Sequence, residues 1–99
     1  MTAFIQLLAA DIRLVLLRLL NEGTGYALND SILRAALAEY GHNLSRDRVR
    51  TELRWLEEQG LVTLETVGTV LVATLCARGA DVATGAARVD GVKRPGPRG

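Results

Sequence analysis

The sequence has one cysteine, Cys76, and one histidine, His42. A single cysteine forms no internal disulfide, which excludes a disulfide-stapled secreted scaffold and fits a reducing cytosol. The two residues supply no metal-ligand cluster, and neither a Ser-His-Asp order nor a glycine-rich phosphate loop is present. His42 falls in a turn, where a solvated side chain or a local hydrogen bond is expected. Cys76 reads as a small packed residue, because no basic group is evident nearby to make it nucleophilic. Asp11 and Glu22 are too far apart in sequence to suggest a paired acid and base. The expectation is a chain without enzymatic activity, cofactor, metal or evident small-molecule ligand. No run of about 18 apolar residues occurs, so no membrane span is expected. The apolar opening MTAFIQLLAADIRLVLLRLL is interrupted by Asp11, Arg13 and Arg18 and lacks the basic front of a signal peptide. A cytoplasmic location is expected. A large charge of one sign is missing too: 12 basic residues stand against 11 acidic ones, a net of +1. Any affinity for nucleic acid must then come from local clustering. No internal repeat is visible.

What is present is ordinary globular composition, 48% apolar and 23% charged, in a length that suits one small domain. A helix is predicted over Ala3–Leu20, with Ile5, Leu8, Ile12, Val15, Leu16 and Leu19 on one stripe of 3.6-residue period. The stretch NEGTG is a loop. A second helix opens near Asn29 or Asp30, either of which can cap it, buries Ile32, Leu33, Ala36 and Leu37, and stops at Gly41. A third opens at Ser45, with Asp47 well placed against the helix dipole, and ends at Gly60. Leu61–Thr66 and Thr69–Leu75 are rich in β-branched residues and flank a tight turn at Val67-Gly68, so they read as a hairpin. A short helix over Ala77–Thr84 follows. From Gly85 the chain reads GAARVDGVKRPGPRG, and its prolines and glycines predict an extended tail.

Helix, helix, helix, hairpin and short helix describe a mainly α fold with a β-hairpin wing, a winged helix-turn-helix over residues 1–85, followed by an extended basic tail over 86–99. The segment LSRDRVRTELRWLEEQGLVTLETVGTVLVATLCARGADVATG resembles the core of the ArsR/MarR-like winged-helix regulators. Their pattern S-x-x-x-V-x-x-x-L-x-x-L-x-x-x-G-L-V falls on Ser45, Val49, Leu53, Leu56, Gly60, Leu61 and Val62. The whole chain, including the ending GVKRPGP, is similar to small Mu-like prophage proteins labelled ArsR-type regulators. The resemblance covers roughly residues 10–85 and implies a DNA-binding regulator. Two departures stand out. The paired cysteines of the metal sensors are missing from the third helix, and the threonine of the L-T-x-x-G motif is Cys76, a poorer cap.

With Val49 at the origin of a helical wheel, Leu53 and Leu56 lie within about 40° of it and face the core. Asp47, Thr51, Arg54 and Glu58 point the opposite way. Arg48 and Arg50 take the flanks, and Arg46 projects at the start. In a helix-turn-helix the N-terminal half of the second helix enters the major groove. Arginine suits that place, because its guanidinium grips guanine with two hydrogen bonds and pairs with phosphate. Ser45, Arg46, Arg48, Arg50, Thr51 and Arg54 are therefore the candidate contacts to double-stranded DNA. Four arginines against Asp47 and Glu52 give this stretch a net of +2. The competing reading is a solvated charged face, with Arg48–Glu52 and Arg54–Glu58 paired at i,i+4. The hairpin carries Glu65 and no basic residue. The tail restores charge with Arg88, Lys93, Arg94 and Arg98 against Asp90, and Lys93, Arg94 and Arg98 are its candidate phosphate contacts. The alternatives for the tail are a solubilising end or a strap lying on its own domain.

The first helix carries a second apolar stripe, Ala3, Leu7, Ala10, Leu14 and Leu17, at coiled-coil spacing. It predicts a homodimer through that helix, which would present two recognition helices to a palindromic site. The alternative is that the fourth helix and tail cover the stripe. Trp55, Tyr26 and Tyr40 read as packing residues. The leading expectation is a phage-derived transcriptional regulator. Its rival is a winged-helix protein-interaction module of a phage or host assembly that does not bind DNA.

Overall fold

The computed structural model describes residues 2–96. It is mainly helical, with four α-helices and a small antiparallel sheet of three strands. The order is α1 (Thr2–Glu22), β1 (Ala27–Asn29), α2 (Asp30–Glu39), α3 (Arg46–Glu58), β2 (Val62–Val67), β3 (Val70–Leu75) and α4 (Ala77–Thr84), with a single 3-10 turn at Thr24–Tyr26. The predicted helices and hairpin are therefore present. The sheet order is β1-β3-β2. β2 and β3 form the hairpin, from Val62 opposite Leu75 to Val67 opposite Val70, closed by Gly68 and Thr69 one position beyond the predicted turn. Gly68 has φ +61°, a conformation glycine adopts without strain. β1 is an addition to the expected elements. Its three residues pair with Thr74, Ala73 and Val72 and place Asn29 and Asp30 beside the middle strand.

Sequence explains the helix boundaries. The Asn29 side chain accepts a hydrogen bond from the Ile32 N–H and caps α2; Ser45 accepts from the Arg48 N–H and caps α3. Each such cap is worth about 1 kcal/mol. α1 stops at Gly23, whose N–H bonds the carbonyls of Leu19 and Leu20. Cys76 stands at the cap of α4 without a side-chain hydrogen bond. Gly79 allows α4 to approach β2: a methyl group there would collide with the Leu61 carbonyl and the Leu75 side chain.

The core joins Ile12, Leu16, Leu17 and Leu20 of α1, Leu33 and Leu37 of α2, Val49, Leu53 and Leu56 of α3, Leu61, Val62, Leu71 and Ala73 of the hairpin region, and Val82 and Ala83 of α4. The predicted inward face of α3 is fully buried, and Asp47, Thr51, Arg54 and Glu58 are exposed as expected. α1 requires correction. Leu14 and Leu17, assigned to a dimer seam, are 3% and 0% exposed within the domain, where α4 packs along α1. Ile5 and Leu8, assigned to the core, lie on the first two turns, which project beyond the packed elements; Ile5 is 59% exposed. Ile32 of α2 is exposed as well, while Ala36 is half-buried.

The tail is not simply extended. Beyond α4, Ala87, Val89 and Val92 pack on the core. The Lys93 N–H donates to the Ala10 carbonyl at 3.0 Å, and Gly91, at φ +97°, sits on the indole of Trp55. Three apolar side chains among the glycines give this segment enough burial to dock as a strap across α1 and α3. Arg98 lies outside the described residues.

Candidate nucleic-acid interface

The α2–α3 corner is held by backbone-directed contacts. Arg34 donates from Nε to the Leu44 carbonyl at 2.8 Å, fixing the turn that leads into α3. Ser45 caps the helix, and α3 then runs beside the hairpin, where the Leu64 N–H donates to the Glu57 carboxylate.

The centre of the corner is Asp30. It immediately follows the cap of α2, and the pairing of β1 with β3 carries it inside, where it has no solvent exposure. Its Oδ2 accepts from Arg46 Nε at 3.0 Å and from Arg50 Nε at 2.5 Å, and its Oδ1 accepts from the Leu71 N–H at 3.1 Å. Both arginines also donate from Nη2 to the Thr69 carbonyl, at 2.8 and 2.9 Å. Burial alone would raise the pKa of Asp30. The hydrogen bonds from Arg46, Arg50 and Leu71, with the Arg50 charge, outweigh it and hold the carboxyl well below the usual carboxylate range. Thus one buried acid binds two side chains of α3 and the turn of the hairpin into a single unit.

A second buried acid, Glu52, faces the other way. Its two oxygens accept from Arg13 Nε of α1 at 2.7 Å and from Arg48 Nε at 2.8 Å. Arg13 lies over the Trp55 ring, 3.9 Å from its centroid, a cation–π contact, and donates from Nη1 to the Gly91 carbonyl at 2.9 Å. Further along the strap, Lys93 Nζ and His42 Nε2 meet the Asp11 carboxylate at 3.3 and 2.7 Å. Burial of Asp11 acts to raise its pKa, but His42 and Lys93 together bring it below its ordinary value.

These contacts correct the expectation of an unencumbered arginine ridge. Arg46 and Arg50 are engaged by Asp30, and Arg48 by Glu52. Only Arg54 of the four has no ion-pair or hydrogen-bond partner among the described residues, and the Arg54–Glu58 pair is absent among them too. Arg46 and Arg50 nevertheless keep 40% and 32% of their side chains exposed. Thr51 is exposed and donates its hydroxyl to the Asp47 carbonyl. Lys93 is occupied by Asp11, whereas Arg94 is exposed. His42 is half-buried against Asp11 instead of solvated. Sequence reasoning missed Asp30 and Arg13 as partners. An acid directly after a helix cap was the available signal for Asp30, but its burial depends on β1. Among the described residues, no three His, Cys, Asp or Glu side chains gather as metal ligands, and no helix is long and apolar enough to cross a membrane.

The fold and site define a small domain of four helices on a three-stranded antiparallel sheet, with two buried acids that each tie down a pair of arginines. The chain is 54% identical over 92 residues to the uncharacterized protein gp26 of Escherichia phage Mu, spanning 93% of this chain and 95% of that protein. It therefore belongs to the gp26 family. An uncharacterized protein of Haemophilus influenzae is 56% identical over 63 residues, which cover 64% of this chain and 61% of that protein. No family model and no solved structure matches the chain significantly.

Proposed function

We propose that this protein is a winged-helix DNA-binding regulator of phage origin, similar to the ArsR/MarR group, that docks the N-terminal half of α3 in the major groove of double-stranded DNA. The sheet order β1-β3-β2, with β1 ahead of α2 and α3 and the hairpin after them, supports the fold reading. The observation that carries the function is the set of Arg46 and Arg50, part-exposed on one flank of α3, and Arg54, exposed on its outer side. The relationship to a phage Mu protein supports the phage origin. Regulation of DNA would put its work in the cytoplasm. Arg48 leaves the contact set, because it lies on the opposite flank of α3, beside Glu52 and Arg13 of α1.

The protein acts as a homodimer in this reading, joined by the first two turns of α1 and not by Leu14 or Leu17. Phe4, Ile5, Leu7 and Leu8 are all exposed there, and Thr2–Ala10 carries no charge. The same patch favours the second reading, a protein-interaction module that does not touch DNA. Fluorescence anisotropy with random and phage-promoter duplexes at about 50 mM salt decides between them, because phosphate contacts are strong there. Saturable binding that weakens with salt supports the regulator. Absence of binding to every duplex leaves the interaction module.

A further inference from the structure

The Asp30 corner uses its arginines in an uneven way. In both Arg46 and Arg50 the edge formed by Nε and Nη2 is turned inward, to Asp30 and the Thr69 carbonyl. Nη1 of each has no protein partner among the described residues, although 40% and 32% of the side chains are exposed. Both Nε atoms bond the same oxygen of Asp30, so the two guanidinium groups lie side by side. Two positive charges against one buried carboxylate leave one positive charge uncompensated, and it opens to solvent.

We propose that Arg46 and Arg50, locked by Asp30 and the Thr69 carbonyl, form a rigid seat for one phosphodiester of the DNA backbone, and that base reading falls to Arg54 and Thr51. The inference rests on the DNA-binding reading and assigns its contacts. Three physical points carry it. Guanine is neutral and would leave the surplus charge unanswered, whereas a phosphodiester brings one negative charge. Arginine fixed at two atoms cannot swing to follow a changing base edge, but a backbone phosphate presents the same oxygens at every sequence. The rotamer entropy of both side chains is already lost on folding, so ordering them costs little on binding. Arg54 is exposed and unpaired among the described residues, so it retains the fork that guanine recognition needs. Asp47, exposed one residue after Arg46, is the acid that opposes the seat from the same helix.

The test is anisotropy on a panel of duplexes between about 50 and 200 mM salt, comparing the full chain with Arg46→Gln, Arg50→Gln and Arg54→Ala, with folding checked by thermal melting. Each phosphate contact contributes about 0.9 to the salt slope. Loss of one should therefore make affinity about 3- to 4-fold less sensitive to this change of salt. The expected result is a shallower slope for Arg46→Gln and Arg50→Gln, with weakening that is equal on every duplex. Arg54→Ala should instead compress the differences among duplexes. If a glutamine variant fails to fold, Arg50→Lys serves: it keeps the slope, because the charge remains, and weakens every duplex equally. Unchanged slopes in the glutamine variants, or sequence-dependent losses in any Arg46 or Arg50 variant, overturn the seat while leaving DNA binding intact. A wild-type chain that binds no duplex overturns both readings, and so does one that binds inorganic phosphate saturably but no duplex.

Discussion

Asp30 and Glu52 are the same device built twice. Each is a buried carboxylate that accepts hydrogen bonds from two arginines, one or both of them on α3. Their surroundings differ. The Glu52 cluster is roofed by Trp55 and by Gly91 of the strap, and it ties α1 to α3. The Asp30 cluster ties α3 to the hairpin, and among the described residues its arginines bond only Asp30 and the Thr69 carbonyl. Identical charge arithmetic thus covers one arginine only: Arg13 is 17% exposed, against 39% for Arg48, 40% for Arg46 and 32% for Arg50. Cover, not charge, separates the structural Arg13 from the arginines that still meet solvent.

Removing the acids should separate the two clusters most strongly. Asp30→Ala strands two arginines and the Leu71 N–H, and should cost about 3–5 kcal/mol of stability. Glu52→Ala should cost less, about 1–3 kcal/mol, because no buried backbone N–H loses its acceptor there, as Leu71 does at Asp30. Urea unfolding of both variants checks the order, and equal losses would break the distinction. Acid sharpens the contrast next. The folded pKa of Asp30 lies below its unfolded value near 4. Its stabilisation is therefore complete above that value and fades as pH falls through the lower folded value. Asp30→Asn should remove on the order of 2 kcal/mol of the wild type's acid-induced loss, read from unfolding curves at pH 7 and pH 2.5. Gly91→Ala tests the roof. A methyl group there meets Trp55 at 2.7 Å, and φ +97° strains any residue but glycine. The expected loss is about 1–2 kcal/mol, with stronger quenching of Trp55 fluorescence by acrylamide and no change at the Asp30 corner. Smallest of all, Arg54→Ala should alter stability by less than about 0.5 kcal/mol, since among the described residues it has no partner to lose. A melting curve settles that one.

α3 was the most legible element. Ser45 capped it, and Val49, Leu53 and Leu56 turned inward, because a helix with charge on one side and leucine on the other has a single way to pack. α1 was the reverse. Apolar residues surround it, so periodicity could not say whether Leu14 or Ile5 would be covered; that was decided by packing against elements far later in the chain, α4 among them. The strap was hidden behind its own composition. Pro95 and the glycines read as extended, while Val89 and Val92 supplied the burial that docks it. β1 is three residues long, too short for alternation to register, yet it is what puts Asp30 inside. The arginines themselves were found correctly, but their partners sit 16 and 20 positions upstream, a distance at which local spacing rules carry no information.

Lys93 reaches Asp11 across 82 positions of sequence. So wide a loop closes late, after the hairpin and the neighbouring helices have collapsed. Leu14 and Leu17 of α1 are made before α2, α3 and the hairpin, and α4 and the strap follow all of these. A folding molecule therefore leaves that apolar face of α1 open until the strap has docked, and replacing Val89 and Val92 with serine should raise aggregation on refolding, read by light scattering.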